Sequence, residues 1–291
     1  MKNIIFLSLL ILPVIGCENP KEEATDSVDP IVSEGKVDDF EPAISDTTLI
    51  YELGEFTSEV RIKAPKKPYR GTILVLQGWN FPNTSWSDSS DLENLASELG
   101  FALVMPDMGK SIYQKRNYPE TRKDWCKYPT RTWLIDTMIP ELQDEFNLFA
   151  DNGPNFVMGL STGGRGAFIL AQENPKVFRA GASLSGDYDQ SAFPEDNLYR
   201  GYFGTDPERW NDDENPVSFA KEWSVPMYVG HGGADKIVPV RHAEIVREVK
   251  MENAGIDEEW IFTINQEAGH NYDFWSSEVD AILEYFQGFT D

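Results

Sequence analysis

The chain has 291 residues, a length that suits one large α/β domain or two small ones. Apolar residues make up 41% of the sequence and aromatic residues 12%, which is enough for a packed core and excludes an intrinsically disordered chain. The formal net charge of −24 repels polyanions, so nucleic acid and anionic lipid surfaces are not expected as partners.

The N-terminus has the pattern of a secretory signal. Lys2 is followed by an apolar stretch at residues 4–15, which is too short to span a bilayer and ends at Gly16-Cys17. The closing Leu-Pro-Val-Ile-Gly-Cys resembles a bacterial lipobox, whose cysteine is lipidated and becomes the first residue of the mature protein. An ordinary cleaved signal with an incidental cysteine is the alternative, but no A-x-A-type cleavage site is present. The sequence therefore predicts a signal peptide at residues 1–16 and a lipid anchor on Cys17, at the outer membrane or cell surface.

Residues 17–46 are predicted to form a flexible tether. The stretch after Cys17 holds ten acidic residues, two lysines and three prolines, and it has no apolar periodicity. Such a composition buries too little apolar surface to offset the entropy lost on folding. The globular domain is accordingly predicted at residues 47–291, at a distance from the membrane that Cys17 would contact.

From residue 47 onward, segments typical of strands and helices alternate. Two β-branched segments with alternating polarity, at residues 47–55 and 57–63, predict antiparallel strands. Continuous apolar runs predict buried strands at residues 72–76, 101–105, 156–158, 180–184, 226–229 and 259–264. Amphipathic stretches predict helices at residues 91–99, 132–146, 165–173, 240–253 and 276–286. The fold class is therefore α/β, with a mostly parallel sheet, antiparallel N-terminal strands and helices on both faces.

Ser161 lies at the centre of the turn Gly-Leu-Ser-Thr-Gly, between a predicted strand and a predicted helix. A G-x-S-x-G sequence is short enough to arise by chance, and a merely tight turn is the alternative interpretation. In this context, however, it has the form of a nucleophile elbow, which exposes a serine hydroxyl above the sheet. The following helix would direct its N-terminal amides at developing negative charge. We therefore predict Ser161 as a catalytic nucleophile.

A nucleophilic serine needs a base, and the chain contains three histidines. His270 follows the last predicted strand and precedes the last predicted helix, which is where a base must stand to reach Ser161 in this type of fold. His231 ends an earlier strand and is predicted to be a structural turn residue. His242 lies within an amphipathic helix and is predicted to be on its surface. The base is therefore predicted to be His270.

The base needs an acid that orients it, and a tetrahedral intermediate needs two backbone donors. Asp235 lies in the loop after the strand at residues 226–229 and is flanked by small residues, so it is the predicted acid. Asp187, which follows the preceding strand, is the alternative. The predicted oxyanion hole consists of the amide of Thr162, directly after the nucleophile, and the amide of Trp79, in the loop after the first parallel strand.

Six motifs occur in order between about residues 50 and 288. They read LQGWNFPNTSW, LASELGFALVMPD, GLSTGGRGA, SLSG, HGGADKIVP and AGHNYDFW. Together they resemble the esterase D/putative-esterase family of α/β-hydrolases, which includes S-formylglutathione hydrolases, feruloyl and acetylated-sugar esterases, and mycolyltransferases. The resemblance implies an α/β-hydrolase fold and the same functional residues: Ser161, Asp235, His270, and the amides of Thr162 and Trp79.

The resemblance also implies a reaction, the hydrolysis of a carboxylic ester through an acyl-enzyme, with no metal and no organic cofactor. Gln77 departs from the family, since many members have histidine there, and this affects local hydrogen bonding rather than the base. Because the protein is predicted to be exported, its expected substrates are carbohydrate or aromatic esters outside the cytoplasm. A serine peptidase or acyltransferase of the same fold, and a non-catalytic binding lipoprotein, remain as alternatives.

The segment at residues 110–131 holds seven basic and two acidic residues within a strongly acidic chain. Because it follows the carboxyl end of a predicted strand, it is expected to border the site. A solvated loop neutralised by acidic neighbours is the favoured interpretation, and a subsite for an anionic or aromatic substrate is the other. The candidate substrate-binding residues are Lys115, Arg116, Arg122, Lys123 and Trp125. Cys126 is predicted to be an inert thiol, and residues 189–222 are predicted to form a cap over the pocket.

Overall fold

The computed structural model describes residues 44–125, 128–193, 195–253 and 259–290. The predicted signal peptide, the lipid anchor on Cys17 and nearly all of the tether lie outside these residues, as does Cys126. In the part of the chain that is described, no helix has both the length and the apolar character needed to cross a bilayer. The predicted globular region can therefore be compared with the structure element by element.

An eight-stranded sheet forms the centre of the domain. Its strands are β1 (Thr47–Leu53), β2 (Phe56–Lys63), β3 (Gly71–Leu76), β4 (Phe101–Pro106), β5 (Asn155–Leu160), β6 (Ala180–Leu184), β7 (Met227–Gly232) and β8 (Ile261–Asn265). They lie in the order β1-β2-β4-β3-β5-β6-β7-β8. The pairs β1–β2 and β2–β4 are antiparallel, and every other neighbouring pair is parallel. The predicted mostly parallel sheet with antiparallel N-terminal strands is confirmed.

Helices cover both faces of this sheet. They are α1 (Ser85–Ser89), α2 (Leu92–Leu99), α3 (Thr130–Trp133), α4 (Ile139–Phe146), α5 (Thr162–Glu173), α6 (Asn197–Phe203), α7 (Arg241–Asn253), α8 (Tyr272–Ser277) and α9 (Val279–Gln287). One core layer contains side chains of α3, α4, α5 and α7, and the other contains side chains of α1, α2, α8 and α9. The sheet is thus the middle layer of three.

The inner strands are apolar on both faces because both faces are covered. Every residue of β3 is buried, with Leu74 in one core layer and Ile73 and Val75 in the other. A strand buried on both sides has a continuous apolar sequence, which is why the runs in this chain predict a parallel sheet. The edge strand β1 instead alternates between half-buried and exposed residues.

Several element boundaries differ from the prediction. Strand β5 continues to Leu160, and α5 begins at Thr162, three residues earlier than predicted. The helix predicted at residues 132–146 is two helices joined by a π-helical turn at Leu134–Met138. Helix α8 was not predicted, because its short apolar run does not reach helical periodicity. Ser161 is therefore the only residue between β5 and α5, and the turn is tighter than the sequence indicates.

The segments at residues 110–131 and 189–222 pack against each other. They share an aromatic cluster that contains Ile112, Tyr118, Trp125, Tyr199, Tyr202, Phe203 and Trp210. Ionic contacts fix the second segment to two helices, since buried Glu214 lies 3.8 Å from Arg165 on α5 and 3.5 Å from Arg131 on α3. We call residues 189–222 the cap, as the sequence predicts, and it is attached to the helix that follows Ser161.

Candidate active site

Ser161 lies in a strained turn between β5 and α5. Its φ of 56° and ψ of −126° place it in a region that non-glycine residues rarely adopt. The neighbouring glycines are required by close packing. A Cβ on Gly159 would lie 2.2 Å from the Gly163 carbonyl oxygen, and one on Gly163 would lie 2.4 Å from the Gln77 carbonyl oxygen. The turn therefore has the shape of a nucleophile elbow, as the sequence predicts.

A chain of hydrogen bonds joins the three residues that the sequence singles out. The Ser161 hydroxyl lies 2.9 Å from His270 Nε2, and His270 Nδ1 lies 2.7 Å from Asp235 Oδ2. The three residues follow β5, β7 and β8, so the carboxyl edge of the parallel sheet brings them together. In this arrangement an imidazole can remove the serine proton while the carboxylate holds the imidazole in place.

Asp235 is held as a carboxylate by its surroundings. Its Oδ1 accepts hydrogen bonds from the amides of Ile237, at 2.8 Å, and Val238, at 2.9 Å. Burial would raise the pKa of Asp235, but the hydrogen bond with His270 and these two amides outweigh it, so the pKa lies below its usual value. The group that faces His270 therefore stays negatively charged and can stabilise an imidazolium ion.

The loop that carries His270 is fixed by aromatic packing and by a helix cap. The imidazole meets the ring of Trp275 edge to face, with centroids 5.0 Å apart. Asn271, directly after His270, caps α8 by accepting a hydrogen bond from the Phe274 amide. Helix α8, which the sequence does not predict, thus positions the base.

Two backbone amides next to Ser161 are available to an oxyanion. Thr162 is the first residue of α5, so its amide has no acceptor within the helix. The loop that carries Trp79 passes close to the serine, since a Cβ on Gly78 would lie 3.3 Å from the Ser161 Cβ. Among the described residues, neither the Thr162 amide nor the Trp79 amide donates a hydrogen bond. These are the two donors that the sequence predicts for the negative charge that forms at an attacked carbonyl.

A cavity of about 580 Å³ opens at Ser161. Its walls are mostly apolar, with three carboxylates among them. The lining residues are Trp79, Ser161, Thr162, Asp187, Ala192, Phe193, Glu195, Asp196, Leu198, Ile237, Val238, Pro239 and His242. Five of them belong to the cap, so the predicted cap does form part of the wall. Within the described residues, no cluster of His, Cys, Asp and Glu has the arrangement of a metal site.

The other two histidines and the alternative acid have different environments. His231 Nε2 lies 2.9 Å from the Val238 carbonyl oxygen and 3.6 Å from Asp235 Oδ2, so His231 packs behind the acid. Burial lowers the pKa of His231. Asp187 is buried, and its Oδ2 accepts a hydrogen bond from the Tyr199 hydroxyl rather than from a histidine. The geometry favours Asp235 over Asp187 as the acid.

The prediction that His242 lies on a helix surface is wrong. The side chain is buried, its Nδ1 accepts a hydrogen bond from the Tyr188 amide at 3.1 Å, and its ring packs on Phe193 with centroids 4.1 Å apart. Burial lowers the pKa of His242 to about 3. A signal existed in the sequence, because His242 lies three and four positions before the buried Ile245 and Val246 and so shares their helix face.

None of the described basic residues at 110–131 lines this cavity. Lys115 contacts Asp213 at 3.0 Å and Glu173 at 3.5 Å, and Arg116 also pairs with Asp213. These contacts support the favoured interpretation, a loop neutralised by acidic neighbours.

The remaining three candidates give no more support to a subsite. Arg122 lies over the ring of Trp125 at 4.8 Å, and Trp125 is buried in the aromatic cluster. Lys123 is exposed. The geometry therefore gives no support to the substrate-binding prediction for these five residues. Lys115, Arg116 and Arg122 contact protein groups, Trp125 is buried, and Lys123 is not part of the cavity lining.

We expect glutamine at the four basic positions to leave substrate preference unchanged. The positions are Lys115, Arg116, Arg122 and Lys123. Their charges are engaged with the protein or exposed outside the cavity, so KM for uronate esters and for neutral esters should change by the same factor. The lost surface ion pairs should lower the free energy of unfolding by about 0.2–1 kcal/mol each. Steady-state kinetics and urea unfolding measure both quantities, and a rise in KM confined to the uronate esters would restore the anion subsite.

The fold and this site together define an α/β-hydrolase. Residues 59–286 match the model of the family described as Putative esterase, which is most of the chain. The chain belongs to this family. The family and the enzyme class that the sequence predicts, a serine ester hydrolase, are thereby confirmed.

Solved structures of the same fold resemble this one at low sequence identity. An S-formylglutathione hydrolase from Agrobacterium tumefaciens is 17% identical, with a TM-score of 0.68, over 85% of this chain and 98% of that one. MPT51 (FbpC1) of Mycobacterium tuberculosis is 16% identical, with a TM-score of 0.70, over 84% and 99%. A ferulic acid esterase is 17% identical, with a TM-score of 0.62, over 87% and 100%. These similarities show the fold.

Proposed function

We propose that the protein hydrolyses carboxylic esters with Ser161 as nucleophile, His270 as base and Asp235 as the orienting acid. The observation that carries this proposal is the continuous chain of two hydrogen bonds, of 2.9 and 2.7 Å, that ends on a serine at a strained elbow. A serine at a merely structural turn has no need of a histidine and a carboxylate aligned behind it. Membership of the esterase family supports the same reaction.

The first half-reaction transfers the acyl group to the enzyme. His270 Nε2 removes the proton from the Ser161 hydroxyl as the oxygen attacks the acyl carbon of the ester. The oxyanion of the tetrahedral intermediate accepts hydrogen bonds from the amides of Thr162 and Trp79. His270 then donates its proton to the leaving alkoxide, and Asp235 stabilises the imidazolium between the two transfers.

The second half-reaction releases the acid. A water molecule takes the place of the departed alcohol, and His270 Nε2 removes its proton as it attacks the acyl-Ser161 ester. The same two amides stabilise the second oxyanion. Its collapse breaks the bond to Ser161 Oγ, and His270 returns the proton to that oxygen. An alcohol in place of water would give acyl transfer, which makes acyltransferase activity the related alternative with the same residues.

We propose carbohydrate or aromatic esters outside the cytoplasm as the substrate class. Two features support an aromatic group: Trp79 and Phe193 face the cavity, and one structure of similar fold is a ferulic acid esterase. The signal and lipobox pattern at the N-terminus supports an extracytoplasmic site of action.

The full-length protein should be assayed with acetylated, feruloylated and uronate-ester oligosaccharides, with p-nitrophenyl acetate as the general ester. A peptide p-nitroanilide tests the peptidase alternative, and an added alcohol tests acyl transfer. Turnover of esters but not of the anilide supports the proposal. Binding of the oligosaccharides without turnover of any ester would instead indicate a non-catalytic binding protein.

We expect Cys17→Ala to abolish membrane association. Without the thiol no lipid can be attached, so the variant should be soluble or unprocessed while the wild type is in the membrane fraction. Fractionation, and mass spectrometry of the mature N-terminus, measure this. Cys126→Ala is the matched control and should fractionate as the wild type. Wholly soluble wild-type protein with an N-terminus other than residue 17 would contradict the anchor.

A further inference from the structure

One of the three carboxylates that line the cavity at Ser161 is nearly buried and has no part in the mechanism above. Asp187 follows β6, is 6% exposed and lines the cavity. Its Oδ2 accepts a hydrogen bond from the Tyr199 hydroxyl, whereas its Oδ1 is buried and has no hydrogen-bond partner among the described residues. Buried carboxylate oxygens are normally satisfied, because leaving one unpaired is unfavourable. The unpartnered Oδ1 thus belongs to a carboxylate that forms part of the cavity wall.

The cavity around Asp187 carries negative charge. Glu195 and Asp196 of the cap line it as well, and its described lining contains neither lysine nor arginine. Burial keeps His242 uncharged at neutral pH, since its pKa is lowered to about 3. The cation with the strongest influence on Asp187 is Arg165, which is buried and lies 3.8 Å from Glu214. The carboxylates that line this cavity would repel an anionic substrate group.

The other walls of the cavity are apolar and can pack against a hydrocarbon part of a substrate. Leu198 and Phe193 of the cap face the cavity, as do Val238 and Pro239 from the loop after Asp235. A substrate that fits both parts has an apolar body and a positively charged donor at one end. The net charge of −24 on the chain favours the approach of such a substrate at low ionic strength.

We propose that Asp187 Oδ1 binds a primary ammonium group, so that the enzyme prefers esters whose acid or alcohol part carries a positively charged amine. This inference rests on the proposed function and narrows its substrate class. An ammonium ion supplies up to three donors and the opposite charge, and charge-assisted hydrogen bonds are about twice as strong as neutral ones. Asp187 is then a specificity residue, and Tyr199 holds its other oxygen in place.

The protonation of Asp187 makes this preference depend on pH. Burial raises the pKa of Asp187 to about 6, although Arg165 opposes the shift. Asp196 raises the pKa further, and His270 opposes it. The Tyr199 hydroxyl donates a hydrogen bond to Asp187. Tyr188 also lies near Asp187, and burial raises the pKa of its hydroxyl, which therefore stays neutral over this range. A carboxyl that is ionised above pH 6 and protonated below it binds ammonium only in the upper range.

The test compares esters of matched length with the full-length protein. The acyl series consists of the p-nitrophenyl esters of 6-aminohexanoic, 6-hydroxyhexanoic, heptanoic and adipic acids, the last as its monoester. The alcohol series consists of the acetates of 6-amino-1-hexanol and 1-heptanol. In one of the two series, kcat/KM for the ammonium ester should exceed that for the uncharged alkyl ester by at least about tenfold. The adipate monoester should be the poorest substrate of the acyl series.

The pH dependence is measured as a ratio of two kcat/KM values. Because both esters are hydrolysed by the same catalytic residues, the pH dependence that the two reactions share cancels when kcat/KM for the ammonium ester is divided by kcat/KM for the alkyl ester. This ratio should fall towards one between pH 7 and pH 5, as Asp187 becomes protonated. A ratio that stays constant over this range would overturn the role of Asp187.

Variants connect the preference to the residue. Asp187→Asn should bring the ratio at pH 7.5 close to one, because the amide keeps the shape and loses the charge. Glu208→Gln, which removes an exposed carboxylate elsewhere in the cap, should leave the ratio as in the wild type. The substrate series needs no variant, so it tests the proposal even if Asp187→Asn does not fold.

The outcomes separate this inference from the proposed function. Hydrolysis that depends on Ser161 with a ratio near one in both series overturns the ammonium site and leaves the esterase intact. Equal kcat/KM for the 6-amino and 6-hydroxy esters also overturns it, because a neutral donor would then suffice. No hydrolysis of any ester above the level of the Ser161→Ala protein overturns the proposed function itself.

Discussion

Ser161→Ala should lower kcat for p-nitrophenyl acetate by about 10⁴- to 10⁶-fold, the range found when a nucleophile that acts together with a base is removed. Without the hydroxyl no acyl-enzyme can form, and the two oxyanion amides alone give only a small residual rate. Steady-state kinetics on the purified full-length protein measure the loss. Thermal unfolding should remain close to that of the wild type, because the change removes one oxygen from a side chain that lines a cavity.

A serine outside the site provides the control for this variant. Ser224 precedes β7, and its side chain is exposed. Ser224→Ala should retain wild-type kcat. If Ser161→Ala kept more than about a tenth of the wild-type rate, another residue would have to be the nucleophile.

Asp235→Asn should lower kcat by about 10⁴-fold with little change in structure. The amide oxygen of asparagine can still accept hydrogen bonds from the Ile237 and Val238 amides. Its NH₂ group then faces His270 Nδ1 and donates a hydrogen bond to it, which places the imidazole proton on Nε2. A protonated Nε2 cannot accept the proton of Ser161. The same assay measures this loss, and the KM for p-nitrophenyl acetate should change little.

The control for this variant is an exposed carboxylate near the base. Asp273 lies in the first turn of α8, three residues after His270, and Asp273→Asn should keep wild-type kcat. Asp187 is the other carboxylate that sequence order allows as the acid. Retention of near wild-type kcat by Asp235→Asn would favour Asp187, although its Oδ2 is bonded to Tyr199.

The strands of the sheet could be predicted because a strand that is buried on both faces has a continuous apolar sequence. Strand β6 was located to the residue, since all five of its positions are buried. The sequence predicts a start of α5 that is too late, because Gly163 and Gly164 weaken the local helix signal. Both glycines pack closely against the ends of neighbouring strands, and this packing favours glycine at the start of α5. The strand residues that they contact lie far away in the sequence.

The residues around Ser161 could be predicted where the order of the strands determines their position. His270 and Asp235 follow successive strands of the sheet, so chain order alone places them near the nucleophile. The hydrogen bond from Tyr199 to Asp187 and the packing of Phe193 on His242 depend on how the cap folds over the site. No local pattern in residues 189–222 encodes that packing, and it was therefore missed.

The basic segment shows why charge patterns along a chain are weak evidence for a site. Lys115 and Arg116 are paired with Asp213, which lies nearly a hundred positions later in the sequence. An excess of like charge within one segment can be neutralised by a distant segment that packs against it. The sequence contains both the basic residues and the carboxylate, but it does not show that they lie in contact.

The three residues of the hydrogen-bond chain are supplied by separate parallel strands, and this affects when activity can arise during folding. Ser161 and His270 are separated by 109 positions, and β5 is separated from β8 by two other strands in the sheet. Parallel pairing between distant segments forms late, because large loops must close first. A nascent or partly folded chain therefore has no base within reach of its serine, and it cannot cleave esters before the sheet is complete. Recovery of turnover after dilution from urea should consequently lag behind recovery of helical circular dichroism.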